Sequence, residues 1–230
     1  MPEAVLEARS LSCGYGGNAV VHDLDLTVGP GEMVALLGAN GAGKSTTLLS
    51  LAGAIPVIDG SVALFGMPAQ GGLQRRVRSG LGFLKESTSV FPSLTVAQNV
   101  ALGRGDPARV YEIAPILRGI EHRAGGVLSG GQQRILAVAR ALAAEPRLLL
   151  VDELSLGLAP LITAQLLELL RAHANGGTAI LFVEQNAARA LSVADRAVVL
   201  RQGRVVADEP AAHLRPRVGD LHDLYFGTGR

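Results

Sequence analysis

Gly38-Ala39-Asn40-Gly41-Ala42-Gly43-Lys44-Ser45-Thr46 is the stretch from which the fold is read. It matches the pattern G-x-x-x-x-G-K-[ST] and sits where that pattern has meaning, between a strand and a helix. Before it, Met33 to Leu37 is an unbroken apolar run, as expected of a strand buried on both faces. After it, Lys44 to Leu51 reads as a helix. The glycines let backbone N–H groups curl around an anion without Cβ obstruction. The helix start turns its free N–H groups and positive dipole end toward the same anion. From there Lys44 can reach the β- and γ-phosphates of a nucleotide, and Ser45 can ligate Mg²⁺. The loop alone does not separate kinases, GTPases, helicases and transport ATPases.

Outward from this loop, the preceding residues read as strands: Val5 to Ser10, then Val20 to Val28, whose alternating Val21, Leu24, Leu26 and Val28 stop at Gly29-Pro30-Gly31. Downstream, Asp59-Gly60 reads as a turn into a strand over Ser61 to Phe65. Val77 to Leu84 leads into an extended segment ending near Pro92. Thr95 to Leu102 is expected to be a helix with Thr95 as N-cap. Pro107 to Leu117 is expected to be another, ended or kinked early by Pro115. No strand is expected between Thr95 and Ala144. Alternation then returns: strand 148–151, helix 161–173 stopping at Asn175-Gly176-Gly177, strand 178–183, helix 186–193 and strand 196–200. A hairpin through Gln202-Gly203 leads to Val205 to Ala207. This predicts an α/β fold with a mostly parallel sheet, an antiparallel β-subdomain at the N-terminus and a helical insertion. The expected organisation is a single domain, with residues 1–93 and 145–230 as core and 94–144 as the helical subdomain.

Bulk properties narrow the function. The chain has 230 residues, 48% of them apolar, enough for a large core. A formal net charge of +1 and a 3% aromatic content without Trp argue against nucleic acid as partner. The single Cys13 excludes an internal disulfide and fits a reducing compartment. The start Met1-Pro2-Glu3-Ala4 lacks the order of a signal peptide, and no apolar run is long enough to span a bilayer, so membrane work would come through a partner. Lys44 and Lys85 are the only lysines, a bias that points to a GC-rich bacterial genome and makes a lysine inside a motif more informative.

Two further patterns carry chemistry. Leu148-Leu149-Leu150-Val151-Asp152-Glu153 is an apolar strand ending in two carboxylates. Taken alone, that is equally a solvated strand end. Beside the phosphate loop, Asp152 becomes a Mg²⁺ ligand and Glu153 the group that orients or deprotonates the attacking water. Leu128-Ser129-Gly130-Gly131-Gln132 opens a helix running to about Ala144, a second anion site by backbone geometry or simply a capped helix. This last pattern resembles the signature of ABC-type ATPases, and its Gln132 lies 20 residues before Asp152, as in that family. The resemblance covers almost the whole chain. It implies that Tyr15 stacks on adenine, that Ser155-Leu156-Gly157-Leu158 crosses a dimer interface, and that the segment 95–144 is the helical subdomain. It also implies that two such domains pack head to tail. ATP bound on Lys44 of one would then be completed by Ser129, Gly130, Gly131 and Gln132 of the other, with hydrolysis reopening the pair and driving a transmembrane permease.

Within the family, Phe91-Pro92-Ser93-Leu94-Thr95-Val96 with Asn99, Ser155-Leu156-Gly157-Leu158-Ala159-Pro160, Val183-Glu184-Gln185-Asn186 and Leu224-Tyr225-Phe226-Gly227 are similar to the shorter ATPase subunit of branched-chain amino acid uptake systems. That subgroup shares Glu86 where most members have Gln, and Gln185 where most have His. The resemblance implies that Glu86 reaches Mg²⁺ and that Gln185 hydrogen-bonds the γ-phosphate without titrating. Three positions depart from the subgroup: Leu154 stands where it has Pro after the catalytic Glu, Lys85 where it has Pro before Glu86, and Ser87-Thr88-Ser89 where it has a Gly-Arg-Arg-like stretch. Leu154 frees a φ that Pro would fix, and the changes around Glu86 lie where the permease docks. The implied cofactors are ATP and Mg²⁺. The implied partners are permease subunits, a second ABC ATPase (identical or a paralogue) and, indirectly, an extracytoplasmic solute-binding protein. The implied place is the cytoplasmic membrane face. A urea or amide importer, a non-transport ABC ATPase and a nucleotide-binding regulatory subunit are the alternatives. A GTPase is disfavoured because no Asn-Lys-x-Asp motif occurs.

Overall fold

The computed structural model describes residues 3–85 and 89–219. Among the described residues, ten strands and eight α-helices follow one another as β1 (Leu6–Tyr15), β2 (Asn18–Val28), β3 (Met33–Gly38), α1 (Lys44–Leu51), β4 (Val57–Leu64), β5 (Met67–Pro68), α2 (Leu73–Arg78), β6 (Leu81–Leu84), α3 (Val96–Ala101), α4 (Pro107–Ile113), α5 (Gly130–Ala143), β7 (Leu148–Val151), α6 (Pro160–Asn175), β8 (Ala179–Val183), α7 (Ala187–Val193), β9 (Arg196–Arg201), β10 (Arg204–Pro210) and α8 (Ala211–Leu214).

Two sheets form. An antiparallel sheet runs β2-β1-β4-β5, and a six-stranded sheet runs β10-β9-β3-β8-β7-β6, parallel except where β10 returns beside β9. Alternation along β3 explains why its sequence is apolar throughout. Met33, Ala35 and Leu37 join a core with the helices α3 to α7, while Val34 and Leu36 join a second core with α1 and the antiparallel sheet. The consecutive strands β8 and β9 lie on opposite sides of β3. The crevice at the carboxyl end of β3 is therefore a topological switch point, where open α/β sheets bind ligands.

Three helical features follow from local chemistry. Thr95 caps α3 by a reciprocal box, its hydroxyl accepting from the Gln98 N–H at 3.1 Å while the Gln98 side chain accepts from the Thr95 N–H at 2.9 Å. The helix α4 ends at Ile113, and Pro115–Ile120 continues as a 3-10 helix, because Pro115 has no N–H for the α ladder. Thr95, the cap of α3, also forms an isolated antiparallel bridge with Ala124.

One expectation needs correction, and one helix stands where none was expected. Asp59-Gly60 is not a turn before a strand but lies inside β4. Gly60 has φ 82°, and a Cβ on it would stand 2.3 Å from the Ser10 carbonyl oxygen, so the glycine forms a bulge where pairing with β1 shifts between Arg9 and Ser12. Val77 is part of a helix that the residues did not announce. It sits in α2, which the chain leaves at Ser79 and Gly80 before β6.

That helix had no periodic apolar stripe to reveal it. Its task is carried by Arg76, which is buried and donates from Nη1 to the carbonyls of Ser50 at 2.9 Å and Leu51 at 2.7 Å. It thereby satisfies the last turn of α1 and complements its dipole. Arg76→Ala is expected to lower stability by about 2–3 kcal/mol, a Tm fall of roughly 5–10 °C for a domain of this size, measurable by thermal unfolding without nucleotide.

Candidate functional site

The glycine loop leaves β3 at Gly38, whose φ of 148° and close approach to the Leu200 carbonyl leave no room for a side chain. It enters α1 at Gly43, at φ 103°, where a Cβ would meet Val21 at 2.8 Å. Lys44 lies only 5% exposed, and its Nζ donates to the Gly38 and Ala39 carbonyls at 2.9 Å each, curling the loop around its own cation. Burial pushes the Lys44 ammonium below its ordinary pKa, while the carboxylates of Glu153 and Asp152 pull it back up. The Ser45 hydroxyl donates to Asp152 Oδ1 at 3.0 Å, so the helix start and the end of β7 converge. The Asp152 N–H in turn donates to the Leu84 carbonyl at the end of β6.

Glu153 follows with φ 44°, a left-handed conformation that is unusual for a side chain of this size. Its Oε2 accepts from Gln185 Nε2 at 3.1 Å, and its carbonyl accepts from Arg134 Nη2 at 3.0 Å. Tyr15, Val20, Asn40, Gly41, Gly43, Lys44, Ser45, Thr46, Glu153 and Gln185 together line a cleft of about 370 Å³. A second cavity of about 370 Å³ adjoins Gly38, Ala39, Asn40 and Gln185. Tyr15, half exposed at the end of β1, forms one wall of the first.

The remaining expected residues are placed elsewhere. Ala42 turns its methyl into the core, and its carbonyl anchors the β9–β10 hairpin through the Gly203 N–H. Ser129, Gly130, Gly131 and Gln132 do not line the cleft. Ser129 and Gln132 are engaged with each other instead, in a capping box that starts α5: Ser129 Oγ accepts from the Gln132 N–H at 3.2 Å and Gln132 Oε1 accepts from the Ser129 N–H at 3.0 Å. Glu86, Ser87 and Thr88 lie outside the described residues, as does the ending Leu224-Tyr225-Phe226-Gly227. Leu154 is fully buried and belongs to the core beside the helices.

One contributor escaped the sequence reading. Arg134 on α5 is buried and donates from Nη1 to the Lys85 carbonyl at 2.9 Å and from Nη2 to the Glu153 carbonyl, so one guanidinium ties the end of β6 to the residue after Asp152. Its signal was there: a cation at the helical spacing of the buried stripe that continues through Val138 and Leu142.

The oxygen-only donor pair Ser45 and Asp152 suits a hard cation such as Mg²⁺, which takes few protein ligands and fills its shell from substrate phosphates and water. No cluster of three or more His, Cys, Asp or Glu side chains that could hold a metal ion occurs among the described residues.

Comparison with known proteins follows the same line. Residues 21–155 match the family described as ABC transporter. The high-affinity branched-chain amino acid transport ATP-binding protein BraG of Pseudomonas aeruginosa is 38% identical over 234 residues, covering 95% of this chain and 99% of BraG. The lipopolysaccharide export system ATP-binding protein LptB of Escherichia coli is 32% identical over 222 residues, covering 89% and 90%. A solved ATP-binding subunit of an ABC transporter superposes with a TM-score of 0.82 at 30% identity, covering 97% of this chain and 98% of that one. The chain therefore belongs to the ABC transporter family as one of its ATP-binding, ATP-hydrolysing domains.

Proposed function

We propose that this chain is the ATPase subunit of an importer for a small solute, with branched-chain amino acids as the leading class. It would act at the cytoplasmic face of a membrane through permease subunits, and indirectly with an extracytoplasmic solute-binding protein. The full-length relation to BraG supports the solute, and the relation to LptB keeps export as the competing direction. No helix among the described residues is long and apolar enough to cross a membrane, so attachment to the bilayer is assigned to the permease.

The observation that carries the mechanism is the junction of Ser45 with Asp152 at 3.0 Å inside a cleft that also holds Lys44, Glu153 and Gln185, while the Ser129 helix cap stands apart. The backbone N–H groups of the loop and Lys44 would hold the phosphates, and Tyr15 would cover the adenine. Ser45 and Asp152, together with Glu86, would hold Mg²⁺, which neutralises charge on the phosphate oxygens when bound. Glu153 would orient the attacking water and Gln185 would steady it against the terminal phosphate. The cleft would be completed from outside this chain. A second ATPase subunit, a copy or a paralogue, would close it with Ser129, Gly130, Gly131 and Gln132 at its own helix start. In this scheme residues 1–93 and 145–230 bind nucleotide, and residues 94–144 present the cap to the partner.

Ser129→Arg tests the division of labour. The bulky cation is expected to leave ATP affinity of the isolated chain within about twofold while reducing ATP-dependent dimerisation more than about tenfold. Sedimentation with and without ATP, beside equilibrium binding, reads both; unchanged dimerisation would remove the cap from the site. Transport of leucine against urea in vesicles carrying the permease encoded beside this chain decides the solute.

A further inference from the structure

Glu184 precedes Gln185 at the end of β8 and is only 1% exposed. Its Oε1 accepts from the Ser155 hydroxyl at 2.6 Å and from the Asn186 N–H at 3.1 Å, while its Oε2 is buried without a partner. A buried carboxyl with one bare oxygen is an expensive way to fill a core, and an apolar residue of similar volume would serve stability better.

What the carboxyl does is close a ring. The backbone segments Glu153–Ser155 and Glu184–Gln185 follow neighbouring parallel strands, and two hydrogen bonds join them: Ser155 Oγ to Glu184 Oε1, and Gln185 Nε2 to Glu153 Oε2 at 3.1 Å. One side of the ring is anchored on α7, whose N-cap Asn186 accepts from the Arg189 N–H at 2.9 Å. The other side begins the turn Ser155–Leu158, closed by the Leu158 N–H on the Ser155 carbonyl at 3.0 Å. Its Leu156 is exposed, and a Cβ placed on Gly130 at the start of α5 would stand 3.9 Å from its Leu158 Cδ2.

We propose that Glu184 is a positioning residue for ATP hydrolysis, tying the exposed Ser155–Leu158 turn to Gln185 so that displacement of the turn is passed to the Gln185–Glu153 contact. The inference rests on the reading of Glu153 as the carboxylate that orients water. It adds a route by which whatever presses on the turn, a closing partner included, sets the geometry of that carboxylate.

The test is a double-mutant cycle on the full chain, reading steady-state ATP turnover, ATP affinity and Tm. Glu184→Ala and Ser155→Ala are each expected to lower kcat about 5- to 10-fold, the effect of one lost hydrogen bond. KM should stay within about twofold, and the double variant should fall no further than the worse single one. Glu184→Gln keeps the Oε1 acceptor and should recover most of the loss, whereas Glu184→Met, which keeps the volume without that acceptor, should not, a difference that a mere packing defect would not predict. Losses that multiply, a KM that rises in step with the fall in kcat, or a Gln variant as slow as the Ala variant would overturn the proposal. Should Glu184→Ala fail to fold, Ser155→Ala and Glu184→Gln still decide, because one must slow turnover and the other must not. Glu153→Gln run in parallel separates the two levels. If it turns over ATP like the parent, the reading of the site fails. If it is dead and the cycle is additive, only the ring fails.

Discussion

Replacing Glu153 by Gln is expected to lower kcat for ATP by about 10²- to 10⁴-fold, the range lost with a positioned general base, while ATP stays bound. The substitution keeps the volume, and its amide oxygen still accepts from Gln185 Nε2, now 3.1 Å from the carboxylate. The backbone has reason to stay in place as well. The φ of 44° is held by the Glu153 carbonyl on Arg134 Nη2 and by the buried Leu154 that follows. What goes is the charge and the basic lone pair. Since hydrolysis is what reopens an ATP-bound pair in the proposed cycle, the variant should accumulate as a dimer in ATP and not in ADP. Single-turnover rates and sedimentation of the same sample measure the two effects, and turnover equal to the parent would show that another group handles the water.

Lys44→Ala is expected to weaken ATP binding by about 10²-fold, the loss of roughly two charge-assisted hydrogen bonds, with a much smaller change in the nucleotide-free Tm. The asymmetry comes from the electrostatics. Burial holds the lysine below its ordinary pKa, with Glu153 and Asp152 only partly opposing. A base whose folded pKa is depressed is disfavoured in the folded state wherever the unfolded chain still holds the proton. At neutral pH the charge therefore contributes no stability, and its cost is relieved only as pH rises through the folded pKa. Against this, removal leaves the Gly38 and Ala39 carbonyls without the ammonium that bridges them. The two terms oppose each other in the free protein and reinforce each other only when phosphate is present. Isothermal titration gives the affinity. The thermal shift induced by saturating ATP, large in the parent and small in the variant, gives an independent reading. An unchanged affinity would exclude Lys44 from the phosphate site.

Where the sequence was legible, the signal was local. The helix over Lys44–Leu51 and the strand over Leu148–Val151 have the bounds read from the residues, because a glycine-rich entry, an unbroken apolar run and a pair of carboxylates punctuate them. Thr95 announced its cap and Pro115 its interruption. Where it misled, a residue's local preference was met in an unexpected way. Gly60 does take a positive φ, but pairing on both sides of the kink makes it a bulge. The helix holding Arg76 was hidden because its buried face is a guanidinium rather than an apolar stripe. Glu184 was quoted in the subgroup motif but given no role, since nothing in Val183-Glu184-Gln185 says that the carboxyl turns inward to Ser155.

The residues alone determined the phosphate loop, the strand-helix alternation and the capped helix of Leu128-Ser129-Gly130-Gly131-Gln132, since each depends on neighbours a few positions away. Only the tertiary structure decided which of these meet. Ser45 and Asp152 stand 107 residues apart in the chain and 3.0 Å apart in space, because β3 and β7 flank β8 in one parallel sheet and end at the same edge. It also decided that Arg134 reaches two loops at once and that the Ser129 cap stays clear of the cleft. Such distances are set by strand order and by the packing of both faces of the sheet, which no local pattern specifies.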